Sequence, residues 1–278
     1  MPLATLPRAG MGRLRHDAFE MIQEQFEFRE LLLQMTSRDL RLRYKQTAMG
    51  FGWALLTPLM NTLIFSVIFM RVAPLDTPVP YPVFVYCGML SWNFTAAALR
   101  FAVTSLTSNV NLVTKVYFPR EIFPFSAVAV SFVDFLVASL PLVAMMAYYR
   151  IAPTPAALAL LPVIVAVQAL FTLAVALVLS MANLFYRDVK YLFEALLTVW
   201  MFASAIVYPI ESVRGGMLGL ALRLNPMTTI VDAYRHVLLY GTAPPLAPFA
   251  VVAALSCLLL PASWLYFHRA EFRFAEYI

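Results

Sequence analysis

The chain has 278 residues, of which 62% are hydrophobic and 13% charged, and its mean hydropathy is +0.78. Soluble domains usually carry about 25% charged residues, so this composition excludes a soluble globular protein and predicts an integral membrane protein. The net charge of +5 does not indicate nucleic-acid binding, because most basic residues lie on one predicted side of the membrane. Cys87 and Cys257 both lie in apolar segments, so no disulfide framework is expected.

Residues 1–45 are predicted to form a cytoplasmic N-terminal segment, which lacks the isolated apolar core of a cleavable signal peptide. Over residues 17–34, apolar side chains that include Phe26 recur at helical spacing between glutamates. This pattern predicts an amphipathic helix on the inner membrane face. The alternative is a soluble helix that packs on a partner.

A charged collar at residues 38–45 follows this helix. Each Arg or Lys at the bilayer centre costs about 2.5–3.5 kcal/mol, so we expect the collar to stay outside the hydrocarbon and to fix the orientation of the chain. It also offers a polar surface to an intracellular partner. Its candidate contact residues are Arg38, Asp39, Arg43, Tyr44 and Lys45.

A transmembrane domain of six helices is predicted for residues 46–278, with spans at about 50–70, 81–106, 122–149, 156–184, 191–208 and 246–267. The 25 residues between Lys45 and Arg71 contain no ionisable side chain. As a helix they rise roughly 38 Å, enough to cross a hydrocarbon core of ~30 Å. The fold class is therefore an all-α membrane protein.

The distribution of basic residues predicts that both termini are cytoplasmic. An even number of spans places the termini on one side. Of the 20 Lys and Arg residues, 14 lie in the predicted inner parts, five lie in the outer parts, and Arg100 lies within a span. Cytoplasmic loops are the ones enriched in Lys and Arg.

The inner loop between the second and third spans mixes aromatic and charged residues, which are common interface anchors. A docking surface and a plain connector with interfacial aromatic residues are both consistent with this composition. The loop ends with Lys115, Val116, Tyr117, Phe118, Pro119, Arg120 and Glu121.

The outer segment, residues 209–245, carries charges within an otherwise apolar stretch. Asn225 and Pro226 divide it into two helical pieces near 216–224 and 227–240, each too short to span a bilayer. We interpret them as re-entrant or surface helices, and a gate over an exit and a structural cap are both consistent with this pattern. Asp232 and Arg235 are the charged candidates in the second piece.

Arg100 and Asp134 are predicted to lie within spans, on either side of the same inner loop. A structural ion pair or an Arg that extends to the interface is one interpretation, and the polar wall of a conduit is the other. Aromatic residues concentrate in the predicted outer half and could face a channel that carries sugars. The candidates are Tyr81, Tyr86, Trp92, Phe94, Trp200 and Tyr208.

Catalytic and metal-binding patterns are not found in the sequence. It has no phosphate-binding G-x-x-x-x-G-K-[ST] loop. His16, His236 and His268 are far apart and do not have the spacing of metal ligands. We therefore expect neither an enzyme nor a resident cofactor or metal.

Four motifs resemble the membrane subunits of ATP-binding-cassette exporters of O-antigen, capsule and teichoic acid. They are RDLRLRYKQTAMGFGWALLTPL at 38–59, KVYFPRE at 115–121, YRDV at 186–189 and LNPM at 224–227. They occur in the family's order over nearly the whole chain. Thr57 is a departure, because the family often has Asn at this position.

The resemblance implies a homodimeric channel in a bacterial inner membrane, with two separate ATPase subunits that bind ATP and magnesium. It implies that residues 115–121 form a coupling loop seated in the ATPase, and that residues 17–34 form an interface helix. The implied cargo is a lipid-linked polysaccharide. A permease for a drug, lipid or other hydrophobic small molecule is the alternative, and a membrane enzyme acting on lipid-linked sugars is the third hypothesis.

Overall fold

The computed structural model describes residues 21, 23–45, 49, 50, 52–72, 74–115, 118–213, 216–271 and 274. Val116 and Tyr117 lie outside the described residues, as do all of residues 1–20, where the predicted interface helix begins. Every regular element in the described part of the chain is helical. The predicted all-α fold is confirmed to this extent.

Eleven α-helices follow one another along these residues. They are α1 (Arg29–Tyr44), α2 (Gly52–Val67), α3 (Tyr81–Ser105), α4 (Val110–Lys115), α5 (Ile122–Tyr148), α6 (Pro155–Leu158), α7 (Leu161–Phe185), α8 (Val189–Phe202), α9 (Met217–Leu224), α10 (Pro226–Arg235) and α11 (Leu246–Ala270). π-helical turns at Ile68–Val72 and His236–Tyr240 extend α2 and α10.

Five helical segments of the described chain are long and apolar enough to cross a membrane. They are Gly52–Val72, Tyr81–Ser105, Ile122–Tyr148, Pro155–Phe185 and Leu246–Ala270. Each corresponds to one of the six predicted spans. The hydropathy pattern located these five because long runs of apolar residues with at most one charge are tolerated only in lipid or in a protein core.

The predicted fifth span, 191–208, is shorter than expected as a helix. α8 has 14 residues and rises about 21 Å, less than a hydrocarbon core of ~30 Å. The helix ends at Phe202 because the chain turns at residues 203–205, where Ala205 has a φ of 49°. The apolar composition beyond Phe202 suggested a helix, although the backbone forms a turn.

α8 and the turn after it nevertheless run antiparallel along the length of α3. Glu194 contacts Arg100 near one end of α3, and the Trp200 and Trp92 rings meet edge to face at 5.6 Å. At the other end the Tyr81 hydroxyl donates to Val207 O at 2.8 Å. The chain therefore passes from one end of the bundle to the other between α7 and the outer segment.

α3 forms the centre of the bundle. It packs on α5, α7, α2 and α10, and most of its side chains are buried. A second apolar cluster lies at the end of the bundle where α1 packs on α5, and it includes Met35, Phe118, Phe123 and Phe267. The outer segment belongs to the main core, because α10 buries its apolar face, including Ile230 and Tyr234, against the side chains around α3.

Candidate functional site at the collar and coupling loop

The collar is helical and forms the last two turns of α1. Sequence analysis separated it from the preceding helix, whereas α1 continues without a break to Tyr44. The reason is that α1 lies along α5, so the collar charges have partners. Arg38 Nη2 donates to Asn109 Oδ1 at 3.1 Å, and the Ser126 hydroxyl donates to Asp39 Oδ2 at 3.1 Å. Lys45 and Phe26 are exposed.

Arg43 forms an ion pair with Asp134 of α5, and its guanidinium lies 3.7 Å from the centre of the Phe101 ring. The Tyr44 hydroxyl donates to the same carboxylate. Burial, followed by this hydrogen bond, raises the pKa of Tyr44 to about 12. The collar thus enters the bundle and fixes α1 to both α3 and α5.

Arg100 and Asp134 do not pair with each other, contrary to one interpretation of the sequence. Asp134 pairs with Arg43 of the collar. Arg100 Nε lies 3.1 Å from Glu194 Oε2 of α8. Both partners of this second pair are about half exposed, at 49% and 55%. The sequence places Arg100 and Asp134 on neighbouring spans, which suggested that they pair. Local sequence gives no sign that α1 packs on α5 and brings Arg43 to Asp134.

A cavity of about 320 Å³ lies between α2, α3 and α5. Its wall combines charged, amide and aromatic side chains of these three helices with Arg43 and Tyr44 of α1. Asn93 is one of them, and its buried Nδ2 has no hydrogen-bond partner among the described residues. The wall includes Arg43, Trp53, Thr57, Asn93, Arg100 and Asp134.

The end of the coupling loop points into the bundle. Phe118, Pro119 and Glu121 are buried, and the Phe118 ring packs on Phe123 at 5.5 Å. Among the side chains described before it, Val110 and Asn111 at the start of α4 are exposed. Composition could not reveal which residues of this loop face outward, because docking residues and buried anchors are both aromatic.

Two further ionisable residues join the coupling loop to the end of α11. His268 Nδ1 lies 3.1 Å from Glu121 Oε1, and Arg120 Nη1 lies 3.7 Å from Glu271 Oε1. Burial, followed by the nearby Glu121 charge, raises the pKa of Glu271 to about 7. Sequence analysis missed His268 and Glu271, since they lie nearly 150 positions from the loop.

Asn225 connects the outer segment to the end of α8. Its side-chain oxygen accepts from Met227 N at 3.0 Å and caps α10, with Pro226 at the first helical position, where a missing N–H has no cost. The amide nitrogen donates to Ala203 O at 2.7 Å. Trp200 Nε1 donates to the same Asn oxygen at 3.2 Å.

Arg235 fastens the other end of α10 to the same turn. It is buried, and its two terminal nitrogens donate to Ala205 O at 3.0 Å and Ile206 O at 2.5 Å. Its guanidinium lies 3.7 Å from the centre of the Phe84 ring. A Cβ at Gly88 would come within 2.9 Å of both Arg235 Nη2 and Ile206 O, so this contact needs a glycine. Asp232 forms a longer pair with His236, at 3.6 Å.

Most of the predicted channel aromatic residues pack inside one protomer. Tyr81, Tyr86, Trp92 and Phe94 are buried in the core around α3. The Tyr86 hydroxyl donates to Ala138 O at 2.8 Å, which explains how a polar group is tolerated there. Trp200 and Tyr208 are half-buried.

Comparison with known proteins places these features in one family. The model of the ABC-2 type transporter family matches residues 30–239. The O-antigen export system permease protein RfbA of Myxococcus xanthus is 31% identical over 260 residues, which are 93% of this chain and 99% of the relative. Two Klebsiella pneumoniae proteins of the same name are 25% and 24% identical over 247 residues, which are 89% of this chain and 94% of each relative. Because these matches include the collar, the coupling loop and the outer segment, the chain belongs to the ABC-2 type transporter family.

Proposed function

We propose that this chain is the membrane-spanning subunit of an ATP-binding-cassette exporter that moves a lipid-linked polysaccharide outward. The relatives that it matches over almost their whole length are O-antigen export permeases. The single structural observation that carries a transport role is the half-exposed pair of Arg100 and Glu194 on membrane helices. Ionisable residues in spans rarely face lipid, and they commonly mark substrate pathways.

The exposed ion pair favours a second copy of the chain beside the first. A charge that faces lipid costs about 2.5–3.5 kcal/mol at the bilayer centre even on the most lenient scale, and less towards the helix ends, where Arg100 and Glu194 lie. A partner protomer, or the water that two protomers enclose, removes this cost. In the proposed homodimer, α2, α3 and α8 face the shared path, and the cavity beside Arg43 opens towards it.

Six crossings are proposed, although five helices are long enough alone. The remaining crossing, which is the fifth in chain order, consists of α8 with residues 203–207, whose contacts follow α3 from Arg100 to Tyr81. Irregular backbone is tolerated within a membrane only where protein or water satisfies it. Asn225, Arg235 and Tyr81 provide donors to four carbonyl oxygens of this turn. An even number of crossings agrees with both termini in the cytoplasm.

We assign the coupling role to the coupling loop together with α4. Two separate ATPase subunits would bind ATP and magnesium and push on the exposed start of α4. The buried Phe118 and Glu121 would then transmit that motion to α5 and α11, and the collar would carry it to α3. The interface helix that precedes the collar would hold the ATPase from the side. This chain itself then needs neither ATP nor another cofactor.

The outer segment is assigned the role of a gate on the opposite face. Asn225 before α10 and Arg235 at its end both donate hydrogen bonds to the turn after α8. The outer segment is therefore attached to the turn that completes the fifth crossing. A tilt of α8 would therefore move the outer segment with it. This link gives one route by which a push at the cytoplasmic end opens the outer end of a bacterial inner-membrane channel.

The cargo is tested by removing the gene from its bacterium and restoring it on a plasmid. We expect loss of the long-chain surface glycan, accumulation of its lipid-linked precursor inside the cell, and recovery with the wild-type gene. A strain that keeps its surface glycan but becomes sensitive to hydrophobic drugs would instead support a permease for small hydrophobic molecules.

A further inference from the structure

A buried cluster of potential metal ligands lies where α5 begins and α11 ends. Glu121 directly precedes α5, His268 lies in the last turn of α11, and Glu271 follows that helix. Only 1%, 6% and 8% of these residues is exposed. One nitrogen of the imidazole and one oxygen of each carboxylate lie within 4.8 Å of one another.

The hydrogen bonds within this cluster only partly satisfy its carboxylates. The contact between His268 Nδ1 and Glu121 Oε1 is ordinary, at 3.1 Å. Among the described residues, Glu271 receives long contacts from Arg120, at 3.5 Å from the backbone nitrogen and 3.7 Å from Nη1. Strong charge-assisted hydrogen bonds are shorter, about 2.7–2.9 Å.

A second observation points to a ligand. Glu121 Oε2 has no hydrogen-bond partner among the described residues, although its side chain is almost completely buried. A buried carboxylate oxygen normally accepts at least one hydrogen bond or coordinates a cation. Here the oxygen belongs to a group that also has a second carboxylate and an imidazole within reach.

We propose that Glu121, His268 and Glu271 form a divalent-metal site that fastens the coupling loop to the end of α11. Zinc fits this mixed set best, because it accepts imidazole nitrogen and carboxylate oxygen at about 2.0–2.2 Å, whereas magnesium prefers oxygen ligands alone. Three protein ligands leave a fourth position for water. The site rests on geometry, and only its role in transmitting the ATPase motion rests on the proposed function.

Zinc binding to the full-length protein tests the site. The protein is purified in detergent with an affinity tag that contains no histidine, treated with EDTA and titrated with zinc chloride by calorimetry. We expect about one zinc ion per chain and a higher unfolding temperature with zinc, since a ligand that binds only the folded state stabilises it. His268→Asn should weaken binding by at least roughly tenfold, since even the partners of metal ligands contribute that much.

His236→Asn is the matched control, because His236 pairs with Asp232 in the outer segment and should leave zinc binding unchanged. The proposal is wrong if wild-type protein binds no zinc, or if both variants lose binding equally. If His268→Asn does not fold, cobalt is added to the wild-type protein instead and its visible absorption is measured. Tetrahedral cobalt with these ligands has visible absorption bands, so their absence would contradict the proposal. Zinc binding without glycan export would leave the site intact and overturn the proposed function instead.

Discussion

At the scale of single residues, the structure depends on side chains that satisfy backbone or charge inside the bundle. Arg235 is the clearest case, because it supplies two donors to the turn after α8 and packs on Phe84. Unsatisfied carbonyl groups at membrane depth cost several kcal/mol each. One side chain on α10 therefore stabilises the break in another helix.

Gly88→Ala tests this contact. The added methyl group would approach Arg235 Nη2 and Ile206 O to 2.9 Å, and overpacking of this kind typically costs about 1–3 kcal/mol. We expect a lower thermal unfolding temperature of the detergent-solubilised protein. Gly52→Ala is the control, because its Cβ would meet Met49 at an ordinary 3.4 Å. Equal effects of the two substitutions would contradict the proposed packing.

The pair of Arg43 and Asp134 gives a second prediction at this scale. Its partners are largely buried, and removing one partner of a buried pair typically costs about 3–5 kcal/mol, because the other charge stays unpaired. We expect Arg43→Met and Asp134→Leu each to destabilise the protein more than the double variant does. A double-mutant cycle of thermal unfolding measures this, and additive effects would show that the charges do not interact.

At the scale of elements, the sequence predicted long helices well and their ends and faces poorly. Long runs of apolar residues located five spans. They could not separate the helix of α8 from the apolar turn after Phe202, because hydropathy does not report backbone conformation. The partners of Asp134 and Glu121 could not be found, because Arg43 and His268 lie about 90 and 150 positions away in elements that only the tertiary fold brings together.

The coupling loop illustrates the same limit and gives an element-scale prediction. Phe118 was expected to face a partner, whereas it packs on Phe123 in the apolar cluster. Phe118→Ala should release the loop from the bundle, since a buried Phe→Ala change costs about 3–5 kcal/mol. Limited trypsin digestion should then cleave faster after Lys115 and Arg120. Phe26→Ala, at an exposed ring, should not change the rate.

At the scale of the whole molecule, the proposed homodimer gives the chain an asymmetric surface. In it, the exposed pair of Arg100 and Glu194 faces the partner protomer or the water that the two protomers enclose. Exposed Val251, Leu255 and Leu258 of α11 face lipid.

Thiol labelling tests that asymmetry. Glu194→Cys should react in membranes with a charged thiol reagent, because only a thiol in water forms the reactive thiolate. The native Cys257 is exposed on α11 and serves as the internal control that faces lipid. A wild-type protein that labels as strongly as the variant would contradict the assigned faces.

The most direct test of the central claim is export by inverted membrane vesicles that contain this chain and its ATPase partner. Lipid-linked glycan is added outside, on the cytoplasmic face, and its protection from an added glycosidase is followed after ATP. The account predicts protection that depends on ATP and is lost with a hydrolysis-deficient ATPase. Hydrolysis of ATP without any protection of the glycan would contradict it.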